Sequence, residues 1–375
     1  MIFFINLCNK SLILLHNKVY MNKIRFDFLD GFRGLAALWV VLFHSMLFNG
    51  YSGPLKFSPN VVLLAFEKFL SIGQLAVAVF IILSGFCLAI PVVNNNLELK
   101  GGFKRYIFRR AKRLLPPYYI ALIISLIMAL FIPLLSYTNG TEWDSKLPIT
   151  AGSVTSHFLV IHNLSKDWIY KINGALWSIA TEWQIYFLFP VMLFLWKKTK
   201  LIVVTIVFAI LSVLLQKYIS FAVPEFIFLF LMGVICCYFS FRAKTVKRSW
   251  IIITAIIFIA SLIFQIAFPL PRMIANVTVG LSFSLLLYTL ISYRRLIGSR
   301  FTILENKPVM FLGKISYSLY LIHGPFLALA NLYMLKNYHL SDDIRQIFLF
   351  GFVIVVVLPI ATAFYYLVER RFLNS

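Results

Sequence analysis

Residues 251–268 read Ile251-Ile-Ile-Thr-Ala-Ile-Ile-Phe-Ile-Ala-Ser-Leu-Ile-Phe-Gln-Ile-Ala-Phe268 and contain no charged side chain. A helix of about 20 such residues spans the hydrocarbon core of a bilayer. Similar runs recur along the 375 residues, of which 61% are hydrophobic and 13% charged. A soluble domain usually carries about 25% charged residues. The sequence therefore predicts an all-α, polytopic integral membrane helix bundle.

Apolar length and polar or proline-rich breaks predict ten transmembrane helices. They run approximately over 29–49, 69–91, 114–135, 174–196, 201–219, 224–240, 251–268, 273–292, 309–330 and 345–367. The stretch 150–164 is a weaker candidate because it contains His157, His162 and Asn163. We interpret it as a re-entrant or interfacial piece.

The distribution of Lys and Arg predicts the orientation of the bundle. The loops 1–28, 92–113, 197–200, 241–248, 293–308 and 368–375 hold 24 of the 35 Lys and Arg residues, and the alternate loops hold nine. Both termini are thus expected in the cytoplasm, with the protein multi-pass in the inner (cytoplasmic) membrane. We expect residues 1–25 to form a cytoplasmic or interfacial segment, in which Met21 is an alternative start, and residues 26–375 to form one transmembrane domain.

Two function classes are disfavoured by composition. The net charge of +22 suggests nucleic acid in a soluble protein, but here basic loops facing anionic lipid explain it. No basic stretch is long enough to form a nucleic-acid-binding domain. The four cysteines show no zinc-binding spacing, so we expect no metal, and Cys87, Cys236 and Cys237 are interpreted as small buried apolar residues.

The first span carries three ionisable residues, Asp30, Arg33 and His44. An ionisable residue inside a membrane is by default a functional hypothesis. Arg33 and His44 are eleven positions apart, which is about three helical turns, so they share a face about 16 Å apart along the axis. The alternative is that Arg33 reaches the inner headgroups and His44 only packs.

Two further spans carry polar stripes. Ser178, Glu182 and Tyr186 follow one another at intervals of four, and Ser316 and His323 are seven apart. Each set lies on one helix face. A carboxylate at this position has to be paired, hydrated or protonated. The alternative for both stripes is a structural hydrogen-bond network between helices.

The span limits place His44, Glu182 and His323 at a similar depth, roughly 7–12 Å below the outer surface. Three polar residues at one depth predict one site in the outer half of the membrane. A histidine, which titrates near neutral pH, can take a proton from a hydroxyl there.

The opposite side carries the densest basic run, with seven cations between Lys100 and Arg113. Arg110 and Arg113 are three apart, on one helix face just before the third span. Guanidinium pairs bind phosphate through bidentate hydrogen bonds. The alternative is that the run only sets topology and contacts lipid. The sequence thus predicts a phosphorylated donor that enters from inside and an acceptor that is met from outside.

Six segments, in order, resemble the acyltransferase type 3 family of membrane acyltransferases, which O-acetylate bacterial surface polysaccharides. They are Phe28-Leu-Asp-Gly-Phe-Arg-Gly-Leu-Ala-Ala with His44, Val79-Phe-Ile-Ile-Leu-Ser-Gly-Phe86, Arg109-Arg-Ala-Lys-Arg-Leu-Leu-Pro-Pro-Tyr118, Leu176-Trp-Ser-Ile-Ala-Thr-Glu-Trp-Gln-Ile-Tyr186, Leu312-Gly-Lys-Ile-Ser-Tyr-Ser-Leu-Tyr-Leu-Ile-His323 and Val368-Glu-Arg370. The similarity extends from about Phe26 to Phe372. Larger members add a soluble hydrolase-like domain, which we do not expect within these residues.

The resemblance implies roles for the residues that match. It implies that His44 is the catalytic base and that acyl-CoA, with acetyl-CoA favoured, is the donor. The full set of candidates is catalytic His44, Glu182 and Asp30; donor-binding Arg33, Arg110, Arg113 and Tyr118; and acceptor-binding His323, Ser316, Ser178 and Tyr186. The expected acceptor is a saccharide or glycolipid of the envelope, and the expected surroundings are the lipid bilayer, with no nucleic acid.

The predicted function is therefore transfer of an acyl group to a saccharide hydroxyl. The main alternative is a transporter or flippase for an envelope glycan or lipid, which also explains ten spans with buried charges. Such a protein would show inverted repeats and broken helices and would consume no thioester. A non-enzymatic scaffold is the second alternative, but it leaves the alignment of Arg33 and His44 unexplained.

Overall fold

The structure, a computed structural model, describes residues 26–298 and 300–373, so the predicted segment 1–25 with Met21 lies outside the described residues. Those residues form an all-helical fold that contains no strand. Ten of its helical segments are long and apolar enough to cross a membrane. The prediction of ten transmembrane helices is confirmed.

The α-helices are α1 (Asp27–Leu47), α2 (Val61–Leu70), α3 (Ala76–Val93), α4 (Gly102–Phe131), α5 (Pro133–Ser136), α6 (Ala151–Phe158), α7 (Trp177–Lys198), α8 (Leu201–Ile219), α9 (Glu225–Arg242), α10 (Arg248–Ala267), α11 (Arg272–Ile297), α12 (Lys307–Asn337), α13 (Asp342–Phe352) and α14 (Leu358–Leu367). Short 3-10 turns are Gly73–Leu75, Glu142–Lys146, His162–Leu164, Ser220–Ala222 and Glu369–Phe372, and Val353–Val357 is π-helical. α2 and α3 form one span, and α13 and α14 form another.

The helix ends define two ends of the bundle. The basic end carries the start of α1, Arg110 and Arg242, and the far end carries Phe48 and Lys146. The largest difference from the predicted limits is in α4, which begins at Gly102 rather than 114. The basic run is therefore helical, because Lys and Arg are good helix formers and their stems can lie along apolar surface.

The weaker stretch 150–164 does not cross the bundle. It forms the eight-residue helix α6 and one 3-10 turn, too short for a span. His157 and His162 are buried there, with ring centroids 3.7 Å apart in a stacked arrangement. These histidines therefore pack inside the protein.

Two pairs of helices approach closely through glycines. On α1 and α12, a Cβ at Gly34 would overlap the backbone of Gly313. On α3 and α9, a Cβ at Gly233 would overlap the carbonyl oxygen of Ile82. Small residues allow such close contact between transmembrane helices. Gly34 is therefore a point of close contact between α1 and α12.

Replacing Gly233 by alanine should destabilise the bundle by about 1–3 kcal/mol, because the added methyl group has no space and α3 and α9 must separate. The control is Gly351→Ala, since a Cβ at Gly351 meets no atom within 4 Å. Thermal unfolding in detergent measures both. Equal midpoints for the two variants would contradict the close packing of α3 on α9.

Candidate active site

Within the part of the chain that the structure describes, most of the predicted site residues line two cavities in the helix bundle, one toward each end. The basic-end cavity has a volume of about 700 Å³ and is lined by Arg33, Arg110 and Arg113 among others. The far-end cavity has a volume of about 300 Å³ and is lined by His44 and His323 among others. Val77 and Tyr320 line both cavities, so they form part of a common wall.

The two histidines of the far-end cavity are neighbours. His44 of α1 and His323 of α12 have ring centroids 4.9 Å apart. His44 Nδ1 lies 2.9 Å from the carbonyl oxygen of Val40, and His323 Nδ1 lies 3.1 Å from that of Leu319. A carbonyl oxygen only accepts hydrogen bonds, so both Nδ1 atoms donate. In the neutral rings each Nε2 therefore keeps its lone pair, and Nε2 of the buried His323 has no hydrogen-bond partner.

A proline on α12 leaves a backbone carbonyl free to bind the loop that precedes α7. Pro325 has no N–H group, which leaves the carbonyl of Leu321 without its helical partner. The side-chain amide of Asn173 donates to that carbonyl at 2.9 Å, and also to Ser125 Oγ at 3.0 Å. Asn173 thus attaches the segment before α7 to the helix that carries His323.

Lys146 lines the far-end cavity, although no pattern in the sequence singles it out. It comes from the 3-10 turn Glu142–Lys146, outside the membrane-spanning segments, and is 6% exposed. Its ammonium donates to Glu142 Oε1 at 3.1 Å and to Ser145 Oγ. Burial lowers the pKa of Lys146, and the nearby Glu142 carboxylate partly opposes this. No spacing rule predicts that a loop lysine lies beside a histidine of α1.

Arg33 is held at the wall of the basic-end cavity by two contacts. Its Nη1 forms an ion pair with Asp30 Oδ1 at 2.6 Å, and its Nη2 donates to Cys87 Sγ at 3.0 Å. Asp30 and Cys87 line the same cavity. The prediction that Cys87 is a purely apolar packing residue is therefore wrong, whereas Cys236 and Cys237 are buried as predicted.

The arginine pair predicted to bind phosphate lies in the same cavity. Arg110 and Arg113 are on α4, and both line the basic-end cavity. Arg110 Nε is buried and has no hydrogen-bond partner. A buried guanidinium donor without a partner costs free energy, and an anionic ligand would satisfy it.

Glu182 lies in the basic-end cavity, which corrects the prediction that it shares one cluster with His44. Its Oε1 accepts hydrogen bonds from Ser84 Oγ and from Tyr186 OH, each at 2.6 Å. Glu182 and His44 line different cavities. The depth of a residue fixes its height along the helix but not the direction in which its side chain points, so equal depth does not place two side chains in one cavity.

Four other predicted site residues lie outside the cavity in which they were expected. Three of the four predicted acceptor-binding residues, Ser178, Ser316 and Tyr186, line the basic-end cavity, and only His323 lies with His44. Tyr118, predicted to bind the donor, lines neither cavity, and its hydroxyl donates to the carbonyl of His157 at 2.8 Å. Tyr118 is therefore a structural link between α4 and α6.

Three charged residues of the basic-end cavity were present in the sequence without a predicted role. Lys307 is the first residue of α12, and Lys314 lies seven residues further along the same helix. Glu369 follows α14. Glu369 Oε2 accepts hydrogen bonds from the backbone N–H and the hydroxyl of Ser318. Lys314 and Glu369 each belong to one of the six sequence segments quoted above, and their place in those segments could have marked them as candidate site residues.

A comparison with protein families matches residues 26–366 to a family described as an acyltransferase domain. No curated protein and no solved structure matched the chain. The family match covers nearly the whole sequence and includes both cavity histidines and the arginine pair. The chain therefore belongs to the acyltransferase type 3 family of membrane acyltransferases.

Proposed function

We propose that this acyltransferase moves an acyl group, in the simplest case acetyl, from acyl-CoA to a hydroxyl of an envelope saccharide or glycolipid. The observation that carries the proposal is the pair of adjoining cavities. A cationic cavity at the basic end adjoins a histidine-lined cavity at the far end, across a wall that includes Tyr320. The donor phosphates occupy the first cavity and the acceptor occupies the second. With the basic end in the cytoplasm, the donor enters from inside the cell.

His44 is the proposed base because of its free ring nitrogen. Its Nδ1–H donates a hydrogen bond to the Val40 carbonyl, so Nε2 is the basic atom. Nε2 takes the proton of the acceptor hydroxyl, and the oxygen attacks the thioester carbonyl. The carbon–sulfur bond breaks, CoA leaves as a thiolate, and the thiolate takes up the proton. His323, in contact with His44, holds the acceptor or the ring of His44.

Glu182 acts on the donor in this proposal. Its carboxylate lies in the basic-end cavity with one oxygen bonded to Ser84 and Tyr186. Its other oxygen can accept hydrogen bonds from amide N–H groups, such as those of the pantetheine arm. The thioester then reaches His44 past Tyr320, whose hydroxyl is hydrogen-bonded to Ser178 Oγ at 2.6 Å.

The test of the proposed function is consumption of the thioester. Purified protein, acetyl-CoA and envelope glycan should release free CoA thiol and yield acetylated glycan by mass spectrometry. A transporter would move glycan across proteoliposomes without releasing thiol. Glycan movement with intact acetyl-CoA would overturn the proposal.

The position of Lys146 in the far-end cavity predicts a role in acceptor binding. Replacing Lys146 by methionine should raise the acceptor KM by about tenfold or more, because a charged hydrogen-bond donor in the far-end cavity is lost. The KM for acetyl-CoA should not change, since Lys146 does not line the basic-end cavity. Initial rates measured against each substrate separately check this split.

Lys166→Met is the matched control, because Lys166 is an exposed lysine that precedes α7 and lines neither cavity. An unchanged acceptor KM in Lys146→Met, with a stable protein, would show that Lys146 only supports the loop.

A further inference from the structure

The strongest unassigned feature is a pair of lysines at the mouth of the basic-end cavity. Lys307 and Lys314 are seven residues apart on α12 and both line this cavity. Seven residues are about two helical turns, so both lysines lie on one face, roughly 10 Å apart along the axis. Both are exposed. Among the described residues, neither forms an ion pair with a carboxylate.

Lys314 is held in place by aromatic rings instead of a carboxylate. Its Nζ lies 5.3 Å from the ring centroid of Tyr365 and 5.1 Å from that of Tyr366, and 3.3 Å from the Tyr366 hydroxyl. Cation–π contact orients an ammonium group without neutralising its charge. Lys314 is therefore a positioned cation with donors left for an anion.

A tyrosine connects the lysine pair to the arginine pair. Tyr317, three residues after Lys314, donates its hydroxyl to the carbonyl of Leu114 at 2.8 Å. Leu114 directly follows Arg113 in the sequence. The two cationic pairs thus lie on adjoining walls of one cavity, one on α4 and the other on α12.

The carboxylates that line the cavity do not neutralise the lysines. Asp30 is paired with Arg33. Glu182 accepts from Ser84 and Tyr186, and Glu369 accepts from Ser318. The excess of positive charge along the cavity therefore favours a ligand that carries more than one anionic group.

We propose that Lys307 and Lys314 form a second phosphate subsite, which takes a terminal phosphomonoester of the donor while Arg110 and Arg113 take its diphosphate. In acyl-CoA, the donor of the proposed function on which this inference rests, that group is the 3′-phosphate. A phosphomonoester carries nearly two negative charges at neutral pH. Exposed ammonium groups act as compact charges that suit such a terminal dianion, and planar guanidinium groups suit bidentate contact with a diphosphate.

The test compares CoA with dephospho-CoA, which lacks only the 3′-phosphate. Dissociation constants are measured by calorimetry on the full chain in nanodiscs of zwitterionic lipid. Wild type should bind CoA about ten to a hundred times more tightly than dephospho-CoA. The double variant Lys307→Gln/Lys314→Gln should lose this preference and bind dephospho-CoA as wild type does.

Lys244→Gln is the matched control, since Lys244 is an exposed basic-end lysine that lines neither cavity. It should keep the full preference for CoA. Equal binding of CoA and dephospho-CoA by wild type would overturn the inference, and so would a preference that survives in the double variant. In the second case, loss of co-purified anionic lipid from the double variant would assign the lysines to lipid headgroups.

Binding and acetyl-CoA consumption together distinguish a failure of the lysine subsite from a failure of the proposed function. If wild type binds neither nucleotide and consumes no acetyl-CoA, both are overturned. If acetyl-CoA is consumed and the 3′-phosphate has no effect on binding, only the lysine subsite is overturned.

Discussion

Replacing His44 by alanine is expected to lower the rate of acyl transfer by about a hundredfold to ten-thousandfold, the usual contribution of a general base. The Nε2 lone pair is lost, so the acceptor hydroxyl must attack with its proton in place. Binding of acetyl-CoA should be unchanged, because His44 lies outside the basic-end cavity. The measurement is the single-turnover rate at saturating donor and acceptor, together with the dissociation constant for CoA.

The fold should tolerate this change, because the Nδ1 hydrogen bond of His44 goes to Val40 on the same helix and links no other helix. His339→Ala is the control, since His339 is exposed after α12 and lines neither cavity. A His44→Ala protein that transfers acetyl at the wild-type rate would remove His44 as the base. His323, whose ring lies 4.9 Å away, would then be the next residue to test.

Replacing Arg110 and Arg113 together by glutamine is expected to raise the KM for acetyl-CoA by about a hundredfold, with the KM for the acceptor unchanged. Two charged donors to phosphate are lost, and each such hydrogen bond contributes about 1.5–3 kcal/mol. Glutamine keeps much of the side-chain length and one donor group, so the change acts mainly on charge. Initial rates at varied acetyl-CoA and direct titration with CoA measure the effect.

Arg109→Gln tests whether position or total charge matters. Arg109 is adjacent to Arg110 but lines neither cavity, and its Nη2 donates to the backbone carbonyl of Lys100 at 3.2 Å. It should leave the KM for acetyl-CoA near the wild-type value. If Arg109→Gln and the double variant raise this KM alike, the basic run attracts the donor through its overall charge and forms no defined phosphate site.

The substitutions that test donor binding and those that test acceptor binding lie in two cavities that share a wall. Tyr320 lines both cavities and its ring centroid lies 6.0 Å from that of His323. A two-substrate enzyme organised in this way separates donor effects from acceptor effects. Substitutions around Arg110 should therefore change donor kinetics, and those around Lys146 should change acceptor kinetics.

The helical class, the ten spans and the shared face of Arg33 and His44 follow from the amino-acid sequence alone. These features depend on local properties, namely the apolar length of each run and the period of the helix. The sequence also selected the ionisable residues in the spans, because their burial is costly unless they serve a purpose.

Which of those residues share a cavity depends on how the helices pack in three dimensions. Glu182 lies with the arginines and not with His44, because contacts between helices set the direction in which each helix faces. Close approach at Gly34 and Gly313 brings α1 against α12 and so places His44 beside His323. Lys146 reaches the same cavity from a loop remote in sequence. Such pairings depend on packing between distant segments, which neither hydropathy nor helical spacing specifies.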